Sequence, residues 1–174
     1  MSQKSGTKVD PKNANDAVAS VEGQELLAEK AIRNHMMSAG AVGLVPIPLV
    51  DVAGITAVQV SLIRRLAEIY GTSYSERAVR NTIGSLVGGV AGHGLGVYTA
   101  MSVARFLPFG GLFSLASLSV VAGGTTYALG RVYQRHFDEG GSVSDVLVDN
   151  VSSFFTQQLE SGRKLMSRKT TAEA

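Results

Sequence analysis

The chain has 174 residues, 45% of them apolar and only 17% charged, with a net charge of +2, a pI near 9.0 and a mean hydropathy of +0.16. That mean is too low for a chain embedded in lipid throughout, and the charge is too mild for a nucleic-acid surface, so no nucleic-acid partner is expected. The absence of cysteine excludes disulfides, thiolate metal sites and cysteine nucleophiles.

Residues 1–15, polar and carrying Lys4, Lys8, Lys12 and Pro11, read as a disordered tail. Residues 16–38 form an N-terminal amphipathic helix in which Val21, Leu26, Leu27, Ala31 and Ile32 recur among Glu22, Glu25, Glu29, Lys30 and Arg33. Residues 39–139 read as a membrane-associated helical domain. It opens on a run to Ile63 whose one charge is Asp51 and which Pro46 and Pro48 break, since each proline removes a backbone donor. This segment crosses, re-enters or lies on the bilayer. Re-entry keeps Arg64 and Arg65 on the side of the N-terminal helix. Asp51 stands in the first turn of the helix that follows, where a carboxylate meets free N–H groups. Inside lipid it would join Gln59 as a polar membrane site.

Gly71 ends that second helix near Tyr70, and Ser73 with Glu76 forms a capping-box signature for a third, expected to run to about Phe106. Gly84, Gly88, Gly92 and Gly96 recur every four residues on it, a glycine zipper that offers a shallow packing groove. His93 falls beside this series, as a hydrogen-bonded core imidazole or a polar membrane site. Pro108, Gly110 and Gly111 make a tight turn into a fourth helix over 112–137, where Gly124 and Ala128 form a second small-residue ridge. No charge falls between Arg80 and Arg105 or between Arg105 and Arg131. Each run suffices for a hydrocarbon layer of about 30 Å. The expected fold is thus an all-α membrane protein: a glycine-rich two-helix hairpin, a proline-broken segment and amphipathic terminal helices. Arg77, Arg80, Arg131 and Arg135 at the hairpin base predict that both termini face the cytoplasm. Residues 140–168, opened by Ser142 with Asp145, form a C-terminal amphipathic helix, and 169–174 a tail.

No metal-ligand cluster, nucleophile triad or phosphate-binding loop appears, so neither enzyme activity nor a cofactor is expected. The pattern predicts a nonenzymatic membrane adaptor or scaffold whose partners are the lipid bilayer and a second copy of the chain. The alternatives are a soluble helical regulatory module and a small membrane pore or transporter.

Pro46-Ile-Pro48, Ile63-Arg-Arg-Leu66 with Tyr70-Gly71, and Tyr127-Ala-Leu-Gly130-Arg131-Val-Tyr133 together carry a resemblance over residues 39–139. The chain resembles the YcjF-like family, a group of bacterial helical domains of uncharacterised function. The resemblance implies association with the bacterial inner membrane and service as an anchor or partner for an Era-like or dynamin-like GTPase. It implies no catalytic residues, and this chain has no nucleotide-binding loop of its own.

Overall fold

The structure, a computed structural model, describes residues 11–44, 50–92 and 111–172, with side chains for 19–44, 53–89 and 117–169. Among these residues the chain is all-α: α1 (Pro11–Val42), α2 (Val50–Tyr70), α3 (Glu76–Gly92), α4 (Gly111–Asp138), a 3-10 turn (Val143–Asp145) and α5 (Val148–Ala172). The first helix is described from Pro11 to Val42. It is therefore longer at both ends than 16–38. Gly71, at φ 64°, closes α2 in the left-handed conformation that a Cβ disfavours. At the start of α3 the cap is Ser75, not Ser73: its Oγ accepts from the Ala78 N–H at 3.4 Å.

Helical spacing sets the inward faces. Ala28, Ile32, Met36 and Ala39 on α1, Leu62, Ile63 and Leu66 on α2, and Val79, Ile83 and Leu86 on α3 are buried, at helical spacing along each helix. They converge on α4, which is the central helix: Ala122, Ala128, Leu129, Val132 and Tyr133 are buried on several of its sides. Helix α4 packs against α1, α2 and α5, while α3 rests on α2 and α5. Full burial of each large aliphatic side chain is worth about 1.5–3 kcal/mol. Two polar residues on the inward faces, Gln59 and Thr126, are bonded to each other, and Thr126 is bonded to the backbone as well. Gln59 Nε2 donates to Thr126 Oγ1 at 3.4 Å, joining α2 to α4, and Thr126 Oγ1 donates to the Ala122 carbonyl at 2.9 Å.

A close helix–helix approach involves glycines, at a place other than the α3 series. A Cβ on Gly162 of α5 would meet the Gly124 carbonyl oxygen and the Tyr127 Cβ at 2.9 Å, and one on Gly124 would lie 3.1 Å from the Arg163 backbone nitrogen. Backbone stands against backbone here, so the ridge of Gly124 and the buried Ala128 faces the C-terminal helix. By contrast, a Cβ on Gly84 or Gly88 would meet nothing within 4 Å among the described residues. Gly92 is the last described residue of α3, and Gly96 lies outside the described residues.

The membrane-spanning hairpin expected from the sequence does not hold. No helix among the described residues is long and apolar enough to cross a membrane. Helix α3 has 17 residues and opens on Glu76, Arg77 and Arg80. Helix α4 has 28, but serine, threonine and glycine fill much of its uncharged part. A stretch without charges is not thereby apolar, and a helix lacking charge on most sides can equally be one that other helices surround. The inner-membrane location with cytoplasmic termini falls with the spans, because the arginine asymmetry then has nothing to orient. Two of those arginines form ion pairs on the helix surface: Arg80 with Glu76 at 2.7 Å, and Arg135 with Glu139 at 2.9 Å. The expected breaks at Pro46, Pro48, Pro108 and Gly110 lie outside the described residues, as does His93.

Two stability measurements follow from this packing. Gly162→Ala should lower the unfolding free energy by about 1–3 kcal/mol, because the methyl is forced against backbone. Gly88→Ala should raise it by about 0.5–1 kcal/mol through helix propensity alone. Chemical denaturation of the two variants checks the pair, and destabilisation by Gly88→Ala would show that its face is covered. The Tyr133 hydroxyl is fully buried with no hydrogen-bond partner among the described residues. Thr82 brings a hydroxyl near it but not in bonding geometry, and burial pushes the phenol's pKa up. Tyr133→Phe removes an unsatisfied group while keeping the ring, so a gain of about 1 kcal/mol is expected in the same assay.

Candidate interaction surface

Among the described residues, no group of three or more His, Asp or Glu could hold a metal ion. The polar positions singled out in the sequence are dispersed. Asp51 is the second residue of α2, and Gln59 is buried in the α2–α4 contact, so these two share no site with each other. Glu76 opens α3 and is engaged by Arg80, while Gly111 opens α4.

The structure instead brings together residues that sequence reading treated separately. Helices α1 and α2 run antiparallel: Gln24 Nε2 donates to the Ile69 carbonyl at 2.8 Å near one end, and Gly54 meets Val42 near the other. One valley between the pair holds α4. The opposite valley is an open groove of about 540 Å³. From α1 it is lined by Leu27, Lys30, Ala31, Asn34 and His35, an i, i+3, i+4, i+7, i+8 stripe. From α2 come Ser61, Arg64, Arg65 and Glu68, with the same spacing. A shallower extension runs over α1 past Leu26, Glu29 and Arg33.

The groove's electrostatics are uneven. Glu68 serves both arginines, with its oxygens 3.4 Å from Arg64 Nε and 3.1 Å from Arg65 Nη1. One carboxylate cannot neutralise two guanidiniums, and Lys30 has no ion pair among the described residues. His35 closes the floor, its Nδ1 2.8 Å from the Ala31 carbonyl and its Nε2 3.4 Å from Ser61 Oγ. The near partner of Nδ1 is an acceptor, so Nδ1 carries the proton and the Ser61 hydroxyl can donate to Nε2. Leu26 and Leu27 are 69% and 53% exposed at the groove's edge. The sequence shows each stripe, but nothing in it shows that the two stripes face the same valley.

Residues 18–164 match the family described as Domain of unknown function (DUF697). The chain belongs to the DUF697 family. The match runs from α1 through most of α5, so the groove and the central helix both lie within the DUF697 domain. Magnetosome membrane protein 22 of Magnetospirillum gryphiswaldense is 38% identical over 147 residues, covering 84% of this chain and 75% of that one. No solved structure matches. Membership in a family of unknown function, with a relative named for a membrane, agrees with the uncharacterised bacterial family suggested by the motifs. Neither match bears on a GTPase.

The DUF697 domain has a second polar contact, at the joint between α4 and α5. Gly140, at φ 82°, turns the chain, and a Cβ on Gly141 would collide with the His136 ring. His136 Nε2 lies 2.7 Å from Asp145 Oδ1 and 3.0 Å from the Ser142 carbonyl. Both are acceptors, so Nε2 carries the proton. The Ser142 N–H also donates to Asp145 Oδ1, at 2.8 Å. Nearby, the Tyr70 hydroxyl donates to Asp138 Oδ1 at 2.6 Å. Burial first, and this bond second, push the Tyr70 pKa well above that of an ordinary phenol.

The hydrogen bond from His136 holds the Asp145 carboxyl below the usual carboxylate range. A carboxyl whose pKa is lowered by folding stabilises the fold above its unfolded value of about 3.9, and that contribution disappears as pH falls through the lower folded value. The thermal midpoint of Asp145→Ala should therefore lie below that of the parent at neutral pH, with the gap closing below about pH 4. A gap that persists undiminished in acid would contradict the assignment.

Proposed function

We propose that this DUF697 domain is a nonenzymatic helical regulatory or scaffold module that holds a partner protein on the outer face of α1 and α2. The observation that carries the reading is the open valley between those helices, with Leu26 and Leu27 exposed beside uncompensated positive charge. Exposed leucines next to a preformed groove are what a protein-binding face needs: apolar area to desolvate and charge to orient the partner. The face stands on a rigid base, because the opposite sides of both helices are committed to the core.

This replaces an integral inner-membrane adaptor with a module that meets its target through a protein-facing surface. The name of the Magnetospirillum gryphiswaldense relative supports a place next to a membrane for this domain too, reached peripherally or through the partner. A GTPase of the Era-like or dynamin-like kind, which the motif resemblance implies, is the first partner to try.

A photo-crosslinking amino acid in place of Leu26, in the full chain inside cells, should give one discrete protein adduct. The same amino acid in place of the exposed Ser153 on α5 should not. No adduct from position 26, or the same adducts from both positions, would contradict a partner face on α1.

A further inference from the structure

We infer that the valley between α1 and α2 is a docking groove for an acidic amphipathic helix of a partner protein. The inference rests on the partner-holding reading above and adds the chemistry of the occupant. Two antiparallel helices leave two valleys. Helix α4 fills one of these with apolar side chains, and no described helix fills the other. The open valley is concave, is bounded by helical stripes of equal spacing, and extends over about two turns of each wall, roughly 10 Å. A third helix fits such a trough lengthwise, as helices do in groove recognition. A flat lipid surface reaches the exposed rims but not the floor, where the buried Ala31 and half-buried His35 lie.

Charge selects which helix. Lys30 on one wall and Arg64 and Arg65 on the other face the trough together, with Glu68 shared between the two arginines. Carboxylates on an incoming helix can take the donors that Glu68 leaves unfilled. A basic helix would be repelled, and a purely apolar one would leave the cations unpaired beneath it. Leu27 lines the trough and Leu26 its extension, so the occupant also presents an apolar stripe. Carboxylates on one flank and leucine-like residues on the other describe an acidic amphipathic helix.

The test uses the full chain and a fluorescein-labelled peptide of roughly 18 residues, long enough to form a helix, with leucines at helical spacing and glutamates beside them. A second peptide replaces the glutamates with glutamines. Fluorescence anisotropy should show the acidic peptide binding at least about tenfold more tightly than the amide version, with affinity falling as salt is raised. The double variant Lys30→Glu with Arg64→Glu should lose at least about tenfold in affinity. Arg168→Glu, outside the groove on α5, should keep the parent value. All substituted side chains are exposed, so thermal midpoints should stay near the parent's and separate lost binding from lost folding.

Equal binding of the two peptides, binding indifferent to the groove variants, or no binding would overturn the inference. So would vesicles of phosphatidylglycerol and phosphatidylcholine that bind in a groove-dependent way while the peptide does not. If the acidic peptide fails yet the crosslinker at position 26 still captures its partner, the acidic occupant is wrong and the partner face stands.

Discussion

The burial of α4 is the constraint on which the rest of the structure depends. This helix has few charges to hold in water along its first five turns, so it needs neighbours on most sides. Helices α1, α2 and α5 supply them, and the close backbone approach at Gly124 and Gly162 lets α5 lie tight along one flank. Once α1 and α2 both lean on α4, their outward faces are set. The groove is a consequence of that: two helices held side by side by a third leave a valley on the far side.

Much of the fold is legible in the residues. The ends of α2 and α4 follow from Tyr70-Gly71 and from Phe137-Asp138 before Gly140, where chain reversal needs a positive φ. On α1 the stripe read from the sequence is only partly the buried one: Ala31 and Ile32 face inward, whereas Val21, Leu26 and Leu27 are exposed and Ala28, Met36 and Ala39 complete the inward face. What misleads is the environment assigned to the uncharged helices. Two surroundings satisfy a helix with no charges, lipid and other helices, and the pattern of α4 alone does not distinguish them. The discriminating signs were Ser119, Thr125 and Thr126 on its buried sides. These add hydroxyls that a lipid-facing helix would rarely carry, and Thr126 bonds with Gln59 of α2.

The interaction surface was less legible. In the sequence Arg64 and Arg65 look like loop-side charges that orient a membrane topology, and Lys30 is one of the charges interleaved with the apolar residues of an amphipathic helix. Their common role emerges only when α1 and α2 pair antiparallel, a long-range relation that helical periodicity does not encode. The glycine series on α3 was conspicuous for its regularity, whereas the glycine contact seen in the structure uses Gly162, a residue without a repeat. Regular spacing advertises a face, but close approach depends on what lies opposite it.

Hydrogen exchange followed by mass spectrometry on the protein in detergent-free buffer tests the central claim most directly. If α4 is the core of a helix bundle, amides over 118–133 will be among the slowest to exchange, and adding detergent micelles or lipid vesicles will leave their protection unchanged. Fast exchange across 118–133 in buffer, with protection gained only when detergent or lipid is supplied, would contradict the account.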